Sequence, residues 1–358
     1  MTDAPVRIAL VGAGLIGRRH AEMVAGHAGA RLAAIVDPAP HAAELARELG
    51  AAHHASLDGL GANDADAAIV ATPNAHHADA AIACAQCGWP CLVEKPVADT
   101  VEAARRMIDA FTAAKLPLLV GHHRRYHAFV QRTRELIDSG AIGRPVLVSA
   151  LWAVRKPDAY FGQGAWRLGP DGGPVMINLI HEIDMMRHLF GEIAEVTGLR
   201  ANAIRGYPVE DTTAVSIAFE SGMLASAALT DAAHTPWGFE AASGENPGIA
   251  FSGRHAWRIC GTEGALEFPN LRLWQAAPCH AAEWSEPLSA TDIDVPDTVP
   301  LAAQLDHFLR LVRGEEREPL VGGEDALKTL AATRRVQELA LAGSAPALQE
   351  EGRRHATA

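Results

Sequence analysis

Val6-Arg7-Ile8-Ala9-Leu10-Val11-Gly12-Ala13-Gly14-Leu15-Ile16-Gly17 is the stretch that decides the fold. A short apolar run ends in three glycines spaced G-x-G-x-x-G, and residues 15–25 continue as a helix-compatible segment. Strand, turn and helix in that order are the context a dinucleotide fingerprint requires. Gly12 permits the tight turn, Gly14 lets a pyrophosphate approach the backbone, and Gly17 lets helix and strand pack closely. The helix start, with Leu15 and Ile16, offers unpaired N–H groups and partial positive charge to phosphates. Asp37 ends the second strand 20 residues after Gly17, where an acid accepts hydrogen bonds from adenosine ribose hydroxyls. A carboxylate there repels a 2′-phosphate, and Pro38 rather than arginine follows it. NAD is the expected cofactor, with NADP less favoured.

Outward from this start the chain alternates. Residues 31–36, 67–71, 91–93 and 117–120 read as strands, with helices expected at 40–49, 76–86 and 100–114. Short apolar strands separated by helices imply a parallel, doubly wound sheet with right-handed crossovers. After Gly121 the rhythm changes. An amphipathic stretch at 128–137 leads to a strand at 145–153, and later strands come as neighbours, 212–219 with 223–230 and 256–260 with 265–268. Neighbouring strands with tight turns predict a mainly antiparallel sheet in an α+β second domain. The expected fold class is α/β, a Rossmann domain over 1–124 followed by a substrate-binding and oligomerisation domain over 125–300. Residues 278–300 read as a proline-rich connector, 301–313 and 324–342 as closing helices, and the tail after Gly343 as frayed.

Composition narrows the class of function. With 358 residues, 49% hydrophobic, 21% charged, the chain is expected to fold as two compact soluble domains. A net charge of -12, from 31 basic and 43 acidic residues without a basic run, argues against nucleic-acid and anionic-membrane partners. No apolar stretch approaches the ~18 residues of a spanning helix or forms a signal segment, so a cytoplasmic protein is expected. Five cysteines in a long chain do not make a disulfide framework. Cys84, Cys87 and Cys91 read as small apolar residues of a helix and a strand rather than ligands, and the paired histidines lack zinc-motif spacing. No metal is expected.

Two segments point to chemistry. Ala71-Thr72-Pro73-Asn74 and Glu94-Lys95-Pro96 each leave a strand at the carboxyl edge of the sheet, where an open α/β sheet holds its ligand. Thr72, Asn74, Glu94 and Lys95 are therefore candidate cofactor contacts. Only four of the 31 basic residues are lysines, so a lysine at this edge stands out. A compact ammonium with a tunable pKa suits hydrogen bonding to a substrate hydroxyl; a solvated strand-end residue is the plain alternative.

These segments, together with GAGLIGRRH (Gly12 to His20), ATPNAHH (Ala71 to His77), GHHRRYH (Gly121 to His127), AWR (Ala165 to Arg167), GGPVMINLIHEID (Gly172 to Asp184) and GTEGALEF (Gly261 to Phe268), resemble the glucose-fructose oxidoreductase and inositol dehydrogenase family of NAD(P)-dependent oxidoreductases. The resemblance covers nearly the whole chain. It implies hydride transfer between a nicotinamide and a secondary alcohol or ketone of a sugar, inositol or related polyhydroxylated cyclic compound. It implies that Lys95 bridges substrate hydroxyl and cofactor, that His181 is the general base, and that His77 and His123 belong to the cofactor site. It also implies that residues 301–343 return to the Rossmann domain, and that the protein is a homodimer or homotetramer built on an open sheet.

The sequence departs from the family at the base. An aspartate is usual four residues before the histidine; here Ile177 stands there and Asn178 follows, so Glu182 and Asp184 are the nearest acids. Lys156, Tyr160, Trp166 and Arg167, with His123, Asn178 and His181, form the expected substrate-facing set. Their clustered cations suit a carboxylate as well as hydroxyls. Two rival readings keep the same fold: a non-catalytic NAD- or sugar-sensing protein, and an NAD-dependent glycosidase.

Overall fold

The computed structural model describes residues 4–276 and 284–342. The chain divides into two compact units, one of Met1–Gln131 with Val295–Ala331, the other of Arg132–Asp294 with Ala332–Ala358.

The first unit contains β1 (Val6–Val11), α1 (Leu15–Ala25), β2 (Ala30–Val36), α2 (Pro40–Leu49), β3 (Ala52–His54), β4 (Ala67–Val70), α3 (His77–Gln86), β5 (Cys91–Val93), α4 (Val101–Ala114) and β6 (Leu118–Val120). Its sheet runs β3-β2-β1-β4-β5-β6, every pair parallel. Parallel strands covered on both faces become continuous apolar runs. Ile8, Ala9 and Leu10 of β1 and all of β4, β5 and β6 are buried accordingly. Thr100 starts α4, its side chain accepting from Ala103 N at 3.1 Å. Strand order reverses direction between β1 and β4, so the crevice of this sheet lies beyond their carboxyl ends.

The second unit continues with α5 (Ala128–Asp138), which begins in the first, then β7 (Pro145–Ala153), α6 (Asp158–Phe161), α7 (Ile180–Phe190), β8 (Ile193–Ala201), β9 (Thr212–Phe219), β10 (Leu224–Thr230), α8 (Phe239–Ser243), β11 (Trp257–Gly261), β12 (Gly264–Phe268), β13 (Arg272–Ala276) and β14 (Leu288–Asp292). They form one eight-stranded sheet, β14-β13-β12-β11-β7-β10-β9-β8, antiparallel except where β7 meets β10. One face carries Val148, Ala150 and Trp152 of β7 with Val215, Ile217 and Phe219 of β9, all buried. On the other face, Leu147 of β7 and its partner Leu224 of β10 are exposed. Helices α9 (Pro300–Arg313) and α10 (Gly323–Gln337) follow.

Three expectations are corrected. Residues 278–300 are not only a connector, because β14 lies within them; the part at 278–283 is outside the described residues. Every residue of β14 is exposed, so the strand has no apolar pattern to betray it. The last helix ends at Gln337 rather than 342, since Ala342 N donates to Arg200 O at 2.6 Å and Arg200 N to Ala340 O at 3.1 Å, diverting the chain along β8. Strand β3, which no sequence period marks, is three residues long and none of them is buried. The tail expected to fray after Gly343 is outside the described residues.

Candidate functional site

The glycine loop joins β1 to α1, and its three glycines differ in what a side chain would meet. Gly12 has φ +96, and a Cβ there would lie 2.6 Å from Ala71 O. At Gly17 a Cβ would lie 2.1 Å from Gly12 O. At Gly14 it would meet nothing within 4 Å. Protein packing explains the first and third glycines but not the second. Gly14 caps α1 with no side-chain hydrogen bond, and the first helical bond is Arg18 N to Gly14 O. The preceding amides of the first turn therefore face an open cradle free of Cβ, which fits a pyrophosphate.

Asp37, at the end of β2, accepts from Ala13 N through Oδ2 and from Ala39 N through Oδ1, both at 2.8 Å. A carboxylate has about four acceptor positions, so these bonds fix it against the glycine loop and leave capacity for a ribose diol. Thr72, after β4, has a buried hydroxyl with no hydrogen-bond partner among the described residues. Such a group suits a ligand-side partner. Asn74, half-buried, opens a short 3-10 turn, Asn74–His76. His77 is buried, with its ring nitrogens against Thr72 O and Pro96 O. Its imidazole serves the loops.

Glu94 and Lys95 follow β5. Lys95 is half-buried, and its backbone N donates to Glu94 Oε2 at 3.1 Å. The other Glu94 oxygen lies 2.7 Å from His20 Nε2 on α1, both side chains buried. Burial pushes the Glu94 carboxyl up, but the His20 hydrogen bond and the charges of His20, His123 and Lys95 outweigh it and hold the group at about 2. An ionised carboxylate only accepts, so His20 Nε2 carries the proton. Gly121 leaves room for this carboxylate, since a Cβ there would lie 3.0 Å from Glu94 Oε2. Sequence reasoning gave His20 no role; the pairing joins residues 74 apart, and no local pattern announces it.

The pair makes a prediction. A carboxyl depressed in the folded state contributes stability above its unfolded value of 4.5, and that stability is lost as pH falls toward 2. Glu94→Gln should flatten the acid loss in that window and cost about 1–3 kcal/mol near neutrality. Circular dichroism during urea unfolding at several pH values measures both. Superimposable stability curves for variant and wild type would show that the pair contributes nothing.

In the second unit, a π-helical turn, Val175–Leu179, runs directly into α7. Such turns often accompany functional positions. His181 lies in the first turn of α7 and is 7% exposed. Asn178 is buried, its Oδ1 without a hydrogen-bond partner among the described residues. Glu182, one of the two nearest acids in sequence to His181, accepts from Trp257 Nε1 on β11 at 2.6 Å. Asp184 is buried.

Lys156 Nζ stands 3.5 Å from Asp231 Oδ2, and 5.8 and 5.2 Å from the Trp152 and Tyr160 ring centroids. Asp231 also accepts from Arg205 Nε at 2.7 Å. Burial pushes the Lys156 pKa down to about 8 against the pull of Asp231. Arg167 stacks 3.8 Å from the Tyr160 centroid and donates to Tyr160 O at 2.7 Å. Trp166 is 57% exposed. The expected substrate-facing residues of this unit thus divide. Lys156, Tyr160 and Arg167 form one cation and aromatic cluster, Asn178 and His181 share the start of α7, and Trp166 is open to solvent. His123, half-buried, belongs to the first unit with Lys95.

Among the described residues no three histidine, cysteine or acidic groups are placed to hold a metal ion, and no helix is long and apolar enough to cross a membrane. Cys84 and Cys91 are buried free thiols.

Comparison with known proteins adds a family. Residues 6–122 match the model of an oxidoreductase family with an NAD-binding Rossmann fold, and residues 130–267 match the GFO/IDH/MocA C-terminal domain. An inositol 2-dehydrogenase of Rhizobium meliloti is 35% identical over 188 residues, 52% of this chain and 56% of that protein. An inositol 2-dehydrogenase of Mycolicibacterium gilvum is 33% identical over 221 residues, 58% of each. The chain thus spans little more than half the length of these relatives. The WlbA dehydrogenase of Bordetella pertussis, solved with NADH and UDP-GlcNAcA, is 25% identical with a TM-score of 0.76, covering 94% of this chain and 95% of that one.

Proposed function

The chain belongs to the GFO/IDH/MocA family of oxidoreductases with an NAD-binding Rossmann fold, and from that premise we propose that it is an NAD-dependent dehydrogenase or reductase. It acts on a secondary alcohol or ketone of a sugar, inositol or related polyhydroxylated cyclic compound. One observation carries the reading: the sheet edge that offers the open Gly14 cradle and Asp37 also carries Thr72, with its buried unpartnered hydroxyl, and Lys95. Relatives named inositol 2-dehydrogenase support the substrate class.

Bound NAD supplies the hydride acceptor. Lys95 directs its ammonium at the substrate oxygen, orienting it and offsetting developing negative charge. His181 takes the hydroxyl proton while the carbon beneath loses hydride, leaving a ketone; in the reductive direction it returns that proton. Asn178 receives a substrate hydroxyl on its buried Oδ1. His123, Lys156, Tyr160, Trp166 and Arg167 complete the proposed substrate set, and the exposed outer face of the eight-stranded sheet is where copies associate.

The test is a panel of sugars, inositols and sugar acids with NAD and NADP, followed by absorbance of the reduced nicotinamide. Turnover of none of them, with NAD still bound, would favour a sensing protein; release of sugar without net NADH would favour a glycosidase. Asp37 sets a second expectation, preference for NAD over NADP. Asp37→Ser with Pro38→Arg should shift the kcat/KM ratio toward NADP, at some loss of affinity because the bond to Ala13 N is lost. Wild-type efficiency equal or higher with NADP would defeat this assignment.

A further inference from the structure

His77 is 1% exposed at the start of α3, and both its ring nitrogens face backbone carbonyls. Nδ1 is 2.8 Å from Pro96 O, and Nε2 is 2.8 Å from Thr72 O. A carbonyl oxygen only accepts, so each contact needs an N–H. Neutral imidazole has one N–H and the imidazolium two. A neutral ring in this place would set a nitrogen lone pair against a carbonyl lone pair inside the protein, leaving a buried acceptor unmatched.

The two carbonyls belong to the loops after β4 and β5, which hold Thr72 and Lys95. We propose that His77 is a proton-dependent positioning residue: as an imidazolium it donates to both carbonyls and ties the Thr72 loop to the Lys95 loop, and on losing a proton it must release one of them. The part played by Lys95 in this statement rests on the function proposed above; the tie between the loops does not.

The charges around the ring decide when the tie is complete. Burial is the largest influence and pushes the His77 pKa below the ordinary histidine range. The hydrogen bonds to Pro96 and Thr72 and the charge of Glu94 pull it up, and Lys95 opposes them. Glu94 is ionised throughout the neutral range. In sequence the nearest titratable neighbours are His76, in the preceding turn, and Asp79, on α3, which pairs with Arg106 of α4 at 3.3 Å. The tie is therefore complete below the ring's lowered pKa and halved as pH rises through it.

Histidine-selective 15N labelling of the full chain, without added cofactor, reads both ring nitrogens against pH. The expected result is a ring doubly protonated at the acid end that loses one proton below the ordinary histidine range. The backbone amides of Thr72 and Lys95 should shift with the same midpoint, and that midpoint should vanish from both in His77→Gln. A ring that stays singly protonated throughout the pH range in which the chain is folded, or amide shifts indifferent to the ring, would overturn the proposal. If the variant does not fold, the matching midpoints in wild type still decide. If it folds, kcat measured below the midpoint should fall roughly tenfold or more, with NAD affinity falling alongside it because Thr72 is released with its loop. Unchanged kcat there, with only the melting temperature lowered, would reduce His77 to a structural residue and overturn the proposal. Failure to turn over any sugar would remove the role of Lys95 yet leave the ring titration informative.

Discussion

His181→Ala should lower kcat by about 10²–10⁴, the usual range for loss of a general base, with little change in NAD affinity. His181 is nearly buried in the first turn of α7, directly after the π-helical turn that carries Asn178. Alanine at 181 removes the imidazole, while Glu182 beside it in sequence accepts from Trp257 Nε1. Lys95→Ala should also lower kcat, and Lys95→Arg should recover little, because a planar fork does not reproduce a compact ammonium. Steady-state kinetics with an active polyol, paired with NAD titration by fluorescence, separates the outcomes. Near-wild-type kcat in His181→Ala would end the base assignment and turn attention to His123 or Asp184. Loss of NAD binding in the same variant would instead mark His181 as structural.

What was legible in the sequence was what burial writes into it. Strands β1, β4, β5 and β6 are covered on both faces and therefore appear as unbroken apolar runs. Strands β9 and β10 alternate because one face is buried, and β9 leads into β10 through a tight turn. By contrast, β3 and β14 have no buried residue, and β8 is half-buried or exposed along its whole length, so no period marks them. Gly12 and Gly17 were legible because close backbone approaches exclude a side chain there, and Gly14 and Asp37 because they stand at fixed spacing from them. The His20–Glu94 pair and the His77 contacts were not, since they depend on loops that meet only when the sheet forms. Lys156 shows the same limit. Its partner Asp231 comes from a distant stretch of the chain, so no local pattern announces the pair.

The glycine loop allows affinity for NAD to be separated from folding. Gly17→Ala would bring a methyl group 2.1 Å from Gly12 O, which is backbone and has no rotamer to yield. Helix α1 must shift, at a cost of about 1–3 kcal/mol or more for overpacking, so this variant should lose both stability and NAD binding. Gly14→Val is different, because a Cβ there meets no protein atom within 4 Å and the glycine's φ is -66. Its melting temperature should stay near wild type. The branched side chain would nevertheless stand where the pyrophosphate needs to reach the first-turn amides. Losing two charge-assisted hydrogen bonds at about 1.5–3 kcal/mol each amounts to roughly 10²-fold or more in affinity. Thermal unfolding measured beside NAD titration reads the two quantities independently. Retained NAD affinity in a folded Gly14→Val protein would mean that the cradle at the start of α1 is not where the phosphates bind, and the cofactor assignment built on it would fall.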